Sequence, residues 1–320
     1  MKGVKNLVRT PKYKFRSNLT EKQMEADIAS FFGWISEDAP FCLLDIDEQL
    51  TGADKKYFDS GFAFFMQFKV SHGLKSVSQV PVSGRANQSK LESVRQFRHE
   101  ADLEDDPSLY FKLRSKAKHA SDFQHNVLMT HANTGHSQAF YVAPLDIDRQ
   151  NYHNRLFDSV NRYRASPFTY GRRKVYQDKW VSYIGHVPFL KNHVSIIPHE
   201  RVDTDNHYYS YSTGGDDIAW HSGEEVSQIN TRLSDLLVSE IRHSISERQI
   251  IPLNKLERLL RERFAEYGDI PGENVQDEME NSVNRIQKMA RFILQQYRIR
   301  LVLLLANGDY VESIRQENIG

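Results

Sequence analysis

The stretch GADKKYFDSGFAFFMQFKVS, residues 52–71, decides the fold. Its second half carries large apolar side chains at every other position, the spacing of a strand with one buried face: Phe62, Phe64, Met66 and Phe68. The preceding ADKKYF and the turn-like DSG predict that this strand is the second arm of a β-hairpin. We place the tight turn of this hairpin at Ser60-Gly61.

This hairpin register has a consequence for the polar residues. It sets Asp54 opposite Gln67, and directly opposed residues share one face of a sheet. Lys69 shares the face of Gln67 because side chains alternate with a period of two. We therefore expect Asp54, Gln67 and Lys69 to gather on the face opposite the apolar stripe, although a slip of one residue would separate them.

A carboxylate, an amide oxygen and an ammonium group on one face suit magnesium-assisted phosphodiester hydrolysis. Mg²⁺ prefers oxygen ligands, including one or two carboxylates. Lys69 could stabilise developing negative charge or orient and deprotonate the attacking water. A second carboxylate could come from the preceding helix, where Glu21 and Glu25 lie on about the same face, and we favour Glu25. The structural alternative is that Asp54 is a strand-end acid and Lys69 a surface lysine with a packed stem.

Before residue 215 the pattern predicts alternating helices and strands. LTEKQMEADIASFFGW predicts a helix capped by Thr20, and residues 71–90 predict a loop. A further helix is expected within 107–135, around SDFQHNVLMTHAN, with Ser121 or Asp122 as its cap. The expected strands are FCLLDIDE (41–48), QAFYVAP (138–144), WVSYIGHVPF and HVSIIP. These elements predict a mixed α/β domain over residues 1–215.

The hydrophobic pattern of the sequence changes after STGGDD at 212–217. Three long segments repeat apolar residues at three- and four-residue spacing, which predicts helices. The chain closes with the strand-like RIRLVLLLANGDYV. We therefore predict a mainly helical C-terminal region over residues 216–320, with a role in dimerisation or target sensing.

A helix with glutamate, then aspartate, then Gln-x-Lys on a hairpin resembles the PD-(D/E)XK nuclease superfamily. The glutamine form, here MQFKVS, is similar to the variant in methylation-dependent type IV restriction endonucleases and related uncharacterised prokaryotic proteins. Further matching stretches are Gln124-His125, YVAP at 141–144 and HERVDTDNHYYSYS at 199–212. The resemblance covers about residues 20–212. Gly52-Ala53 stands where the family pattern has a proline before the aspartate, which lowers the specificity of the motif.

The resemblance implies a restriction-endonuclease-like mixed sheet flanked by helices and nucleic-acid cleavage that depends on Mg²⁺, with Mn²⁺ as a substitute. It carries over four residues as the active site: Glu25, Asp54, Gln67 and Lys69. Of these, Asp54, Gln67 and Glu25 would be the metal ligands. Gln124 and His125 would support the site, with Gln124 near a phosphate or a metal-bound water.

The composition of the chain limits which structural sites, compartment and partners are expected. The chain is 39% hydrophobic and 26% charged, with 42 basic and 42 acidic residues. A single cysteine, Cys42, excludes an internal disulfide framework and a cysteine-based zinc cage. We also expect no secretory signal and no apolar segment long enough to cross a membrane. Together with the single cysteine, these expectations favour a cytoplasmic protein without a membrane partner. Basic clusters could follow a phosphate backbone or be solvated surface; they lie within 2–16, 112–118 and 162–174.

Histidines 119, 125, 131 and 136 recur without the spacing of one helical face, so they predict no zinc site. The expected function is an endonuclease that acts on DNA rather than RNA, in restriction or phage defence, as a homodimer or with a partner defence protein. Two alternatives stay open. One is a non-catalytic nucleic-acid-binding or regulatory module on the same fold. The other is an interaction scaffold built on the helices of 225–300.

Overall fold

Two β-sheets form the framework of the protein. The computed structural model describes residues 11–35, 41–45, 58–84, 88–164, 181, 184–221, 223–267 and 282–317. Within these residues the strands are β1 (Lys14–Phe15), β2 (Phe41–Asp45), β3 (Ser60–Phe68), β4 (His72–Leu74), β5 (Ser108–Lys112), β6 (Ser137–Pro144), β7 (His193–Ile196), β8 (Tyr208–Tyr211), β9 (Ala219–Trp220), β10 (Glu224–Glu225), β11 (Ile251–Pro252) and β12 (Arg300–Ala306).

Helices flank both sheets. In the described ranges they are α1 (Glu21–Ile35), α2 (Lys90–Glu100), α3 (Gln124–Thr130), α4 (Arg149–Arg164), α5 (Pro188–Lys191), α6 (Leu233–Ser246), α7 (Leu253–Phe264), α8 (Ser282–Tyr297) and α9 (Gly308–Glu317). Helix α1 begins as predicted, since the Gln23 amide donates to the Thr20 hydroxyl at 3.3 Å. None of the described helices has the length and apolar composition needed to cross a membrane.

The strands form one mixed and one antiparallel sheet. The mixed sheet has the order β2-β12-β3-β6-β7, with β11 also paired to β3. Within it β3 and β6 are parallel, and the other pairs are antiparallel. The antiparallel sheet has the order β1-β4-β5-β8-β9-β10. The chain therefore has an α/β fold with a mixed sheet flanked by helices, as the sequence predicts.

The predicted hairpin is wrong. Strand β12 pairs with β3 from Ser60 to Met66 on one side, and β6 pairs with it from Ala63 to Phe68 on the other. Ser60 and Gly61 are therefore the first residues of the strand, and residues 63–66 have no edge left for a hairpin arm. The apolar RLVLLLA segment of β12 occupies the edge that the hairpin needed. Asp54 lies outside the described residues, so its position relative to Gln67 stays a prediction.

The mixed sheet separates two hydrophobic cores. The apolar stripe at 62, 64, 66 and 68 packs with Ile28 and Phe32 of α1 and with residues of α6, which confirms its core role. On the opposite face, Ala63 and Phe65 pack with the antiparallel sheet and with α7 and α8. Each face of β3 is therefore buried in its own core.

The part of the chain after residue 215 is mainly helical, as predicted, but it also completes both sheets. Strands β9 and β10 extend the antiparallel sheet, and β12 lies between β2 and β3 in the mixed sheet. A division at residue 215 would cut through both sheets. The roles expected for this region, dimerisation or target sensing, stay predictions.

Several local expectations differ from the structure. The WVSYIGHVPF segment is not a strand where it is described, since residues 181, 184 and 185 are helical and α5 follows at Pro188. The segment 107–135 contains β5 and only the short helix α3, whose N-cap is Phe123 rather than Ser121 or Asp122. The GDYV end of the closing segment lies in α9 rather than in the strand.

Candidate functional site

Gln67 and Lys69 lie at the carboxyl end of β3. Alternation along the strand puts them on the face of Ala63 and Phe65, opposite α1. The Lys69 amide donates to the Val142 carbonyl at 2.9 Å and so continues the pairing of β3 with β6. Both side chains are buried, with 1% of Gln67 and 4% of Lys69 exposed.

A buried network joins Gln67 and Lys69 through Gln124 at the start of α3. The Lys69 Nζ donates to Gln124 Oε1 at 3.1 Å, and Gln124 Nε2 donates to Gln67 Oε1 at 2.5 Å. Gln67 Nε2 donates to the Phe68 carbonyl at 2.8 Å, and Gln124 Nε2 also donates to the Tyr297 carbonyl. The network therefore ties β3, α3 and the end of α8 together.

Burial changes the proton affinity of Lys69. The pKa of this lysine is lowered from 10.5 to about 8, mainly because burial removes water from the ammonium; the charge of Glu21 raises it in part, and the charge of Arg114 contributes to the lowering. The Nζ lies 5.9 Å from the centroid of the Tyr141 ring, a cation–π contact that favours the charged form. Lys69 is thus an ammonium at neutral pH whose proton is held more weakly than on an exposed lysine.

Glu25 belongs to a different cluster. It lies on α1 and forms an ion pair with Arg300, with Nη2 to Oε2 at 3.3 Å. Arg300 is paired with Met66 and shares the α1 face of the sheet. Burial raises the pKa of Glu25, and the charge and hydrogen bond of Arg300 lower it in part. The structure therefore places Glu25 on the other face of the sheet from Gln67 and Lys69, while Glu21 is the α1 acid whose charge acts on Lys69.

His125, next to Gln124, points into a second cluster. Its Nδ1 lies 2.9 Å from the Tyr141 hydroxyl, its Nε2 lies 2.8 Å from the Glu200 carbonyl, and its ring stacks on Trp220 at 5.8 Å. Burial lowers the pKa of His125 to about 4. The Gln124-His125 pair therefore links the two clusters. Gln124 accepts a hydrogen bond from the Lys69 ammonium, and the neutral His125 is hydrogen-bonded to the Glu200 carbonyl.

The second cluster was missed by the sequence reasoning. His199, Glu200 and Glu224 each offer a ligand atom, and these atoms lie within 4.8 Å of one another. Only the His-Glu dipeptide of HERVDTDNHYYSYS hinted at it, because Glu224 lies in a separate segment. His131 and His136, by contrast, have separate surroundings: His131 stacks on Phe65 and His136 lies 3.2 Å from the Gln249 carbonyl.

The cluster of basic residues at 112–118 lies on the surface, with all four side chains exposed: Lys112, Arg114, Lys116 and Lys118. Lys112 pairs with Asp205 at 3.2 Å, and Lys116 donates to the Ser121 carbonyl at 2.8 Å. Arg114 is close enough to act on the charge of the buried Lys69. Of the other two basic clusters, the structure describes only residues 11–16 and 162–164.

Comparison of the chain with protein-family models, with curated proteins and with solved structures found no match. The resemblance to the PD-(D/E)XK superfamily therefore rests on the sequence motifs quoted above.

Proposed function

We propose that this protein is a metal-dependent endonuclease that hydrolyses phosphodiester bonds of DNA, in restriction or phage defence. The observation that supports this most is the Lys69 ammonium, buried beside two amide side chains, with its pKa lowered to about 8. A lysine in such surroundings can stabilise negative charge or exchange a proton near neutral pH. The exposed Arg114, whose charge acts on Lys69, suits contact with a phosphate backbone.

The proposed nuclease needs a divalent metal ion, and that ion needs carboxylate ligands near Lys69. Mg²⁺, or Mn²⁺ in its place, needs at least one carboxylate ligand. Asp54 is the acid that the family resemblance supplies, and Glu21 is the α1 acid whose charge acts on Lys69. Gln67 offers its amide oxygen, which accepts a hydrogen bond from Gln124 in this structure. Glu25, paired with Arg300, is the weaker candidate ligand.

One observation favours a second candidate, a non-catalytic DNA-binding module on the same fold. The polar atoms of Gln67, Lys69 and Gln124 bond to one another and to carbonyl oxygens inside the protein. A closed network of this kind also serves to fix β3 against α3 without chemistry. This candidate predicts salt-sensitive DNA binding without cleavage.

Plasmid cleavage by the purified full chain separates the two candidates. We expect Mg²⁺-dependent nicking or linearisation of plasmid DNA that stops in EDTA, and a loss of at least about 100-fold in Lys69→Met and Asp54→Ala. Methylated and unmethylated plasmids and a single-stranded RNA define the substrate. Lys255→Met, which removes an exposed lysine of α7 outside the three basic clusters, is the matched control and should cut like the unchanged protein.

Folding of each variant is checked by circular dichroism and thermal melting, so that loss of activity is not confused with loss of structure. DNA binding without any cutting by the unchanged protein would favour the non-catalytic module. Full cutting by a folded Lys69→Met variant would rule out the proposed site.

A further inference from the structure

We propose a second metal site, separate from the Lys69 network, in which His199, Glu200 and Glu224 bind one divalent transition-metal ion such as Zn²⁺. The three residues come from the loop that follows β7 and from the edge strand β10. One ligand atom from each lies within 4.8 Å of the others. The ligands of a tetrahedral zinc site lie about 3.4 Å apart, so small side-chain rotations would close the site.

Three neighbouring strands align the groups that build this site. Tyr209 of β8 is paired with Trp220 of β9, and Trp220 is paired with Glu224 of β10. Directly paired residues share one face of a sheet, so the three side chains form a row across the sheet. The row faces the loop that carries His199 and Glu200.

Each member of the row has a distinct contact. The Tyr209 hydroxyl lies 2.9 Å from His199 Nδ1, and the Trp220 indole donates its N–H to Glu200 Oε1. Glu224 supplies its own carboxylate. The row thus orients two candidate ligands and provides the third, which is the kind of outer support that ligating histidines and carboxylates usually have.

The free nitrogen of His199 is the second line of evidence. Its Nε2 is buried and has no hydrogen-bond partner among the described residues. Buried polar atoms are normally satisfied, so an orphan nitrogen on the histidine of this cluster needs an explanation. When Nδ1 donates its proton to the Tyr209 oxygen, Nε2 presents a lone pair, which is what a metal ion requires.

The charges of the cluster also favour a bound metal ion. Across the described ranges, no lysine or arginine forms an ion pair with the carboxylates of Glu200 or Glu224. Two carboxylates beside an imidazole therefore lack a cation. An imidazole with carboxylates suits Zn²⁺, Mn²⁺ or Fe²⁺ better than Mg²⁺ or Ca²⁺, which prefer oxygen ligands alone. The ion would tie the loop after β7 to the edge of the antiparallel sheet.

The test uses the tag-free full chain, treated with EDTA and then dialysed, and titrated with Co²⁺ as a visible probe and with Zn²⁺ by calorimetry. We expect one ion per chain at this site, whose binding is lost in Glu224→Gln, and a melting temperature that rises with metal concentration. Glu224→Gln and His199→Gln should each weaken binding at least about 10-fold. Because Glu224 is on the surface, its variant keeps the fold even if His199→Gln does not.

Glu225→Gln is the matched control, because Glu225 is the neighbouring acid of β10 and is paired with Ala219, on the other face of the strand. It should bind metal like the unchanged protein. Absence of metal binding by the unchanged protein, or equal loss in Glu225→Gln and Glu224→Gln, would overturn the proposal. No readout here involves DNA cleavage, so the result is independent of the proposed nuclease activity.

Discussion

The Lys69 ammonium donates to the side-chain oxygen of Gln124 at 3.1 Å, although the two residues are 55 positions apart. Gln124 also holds Gln67 by its Nε2. One amide on α3 therefore satisfies two buried polar groups at the end of β3, and its removal should affect both.

Gln124→Ala should lower the free energy of unfolding by about 3 kcal/mol. The change leaves the Lys69 ammonium, the Gln67 oxygen and the Tyr297 carbonyl without this partner, and each buried unsatisfied group costs about 1–3 kcal/mol, partly offset by rearrangement. Urea denaturation measures the loss. Gln150→Ala, which changes an exposed glutamine, should stay within about 0.5 kcal/mol; an equal loss in both variants would contradict the role of the network.

Lys69 should titrate near pH 8. Its ordinary pKa of 10.5 applies to the unfolded chain, and burial lowers it in the fold. Between these pH values the unfolded chain binds a proton that the folded protein has lost, so stability rises as pH increases from about 8, by at most about 1.4 kcal/mol per unit. Nuclear magnetic resonance of the lysine Cε groups gives the titration, with Lys69→Met for assignment. A Lys69 titration above pH 10 would contradict the burial argument.

Arg300→Met should destabilise the protein by about 3 kcal/mol at pH 8, because it leaves the buried Glu25 carboxylate without its main cation. The pKa of Glu25 is already raised by burial, so lowering the pH lets this carboxyl take up a proton. The loss should therefore shrink as the pH is lowered from 8. Glu25→Gln combined with Arg300→Met should recover part of the stability, and a double-mutant cycle that shows no coupling would contradict the ion pair.

His131→Phe should make the protein less sensitive to acid. The His131 ring is buried at 4.1 Å from Phe65, and neither ring nitrogen has a partner among the described residues. Burial lowers the pKa of His131 from 6.5 to about 3, so the unfolded chain takes up a proton first as pH falls. The unchanged protein should lose up to about 1.4 kcal/mol per pH unit below 6.5 at this position.

Urea denaturation at pH 7.5 and at pH 5 measures this difference. The variant should be at least as stable as the unchanged protein at pH 7.5, because an apolar ring replaces two unsatisfied nitrogens. Its advantage should grow at pH 5. An advantage that does not change with pH would contradict the assignment.

Sequence reasoning succeeded where the pattern is local. The alternation of β3 predicted both its buried stripe and the shared face of Gln67 and Lys69, and the helical period predicted α1. It failed at the hairpin because the neighbour of β3 comes from the other end of the chain, and alternation within one strand does not specify its partner. The hairpin therefore gives no support to the register expected for Asp54, whose position stays a prediction.

The helix period also left the choice between Glu21 and Glu25 open. It shows which residues of α1 share a side, but not on which face of the sheet the helix packs. The structure answers this, because Ile28 and Phe32 of α1 pack with the stripe on β3. The cluster of His199, Glu200 and Glu224 was out of reach of pattern reasoning, since two strand pairings assemble it from separate segments.

The position of β12 also bears on how the chain folds during synthesis. Until the ribosome has released residues 300–306, β2 and β3 both present an unpaired edge, and an apolar edge of this kind invites association with other chains. The pairings of β12 with β2 and β3 can therefore form only after residues 300–306 have emerged. Folding that depends on such distant pairings is slow, so the two strand edges stay open for longer than in a sheet that closes from neighbouring strands.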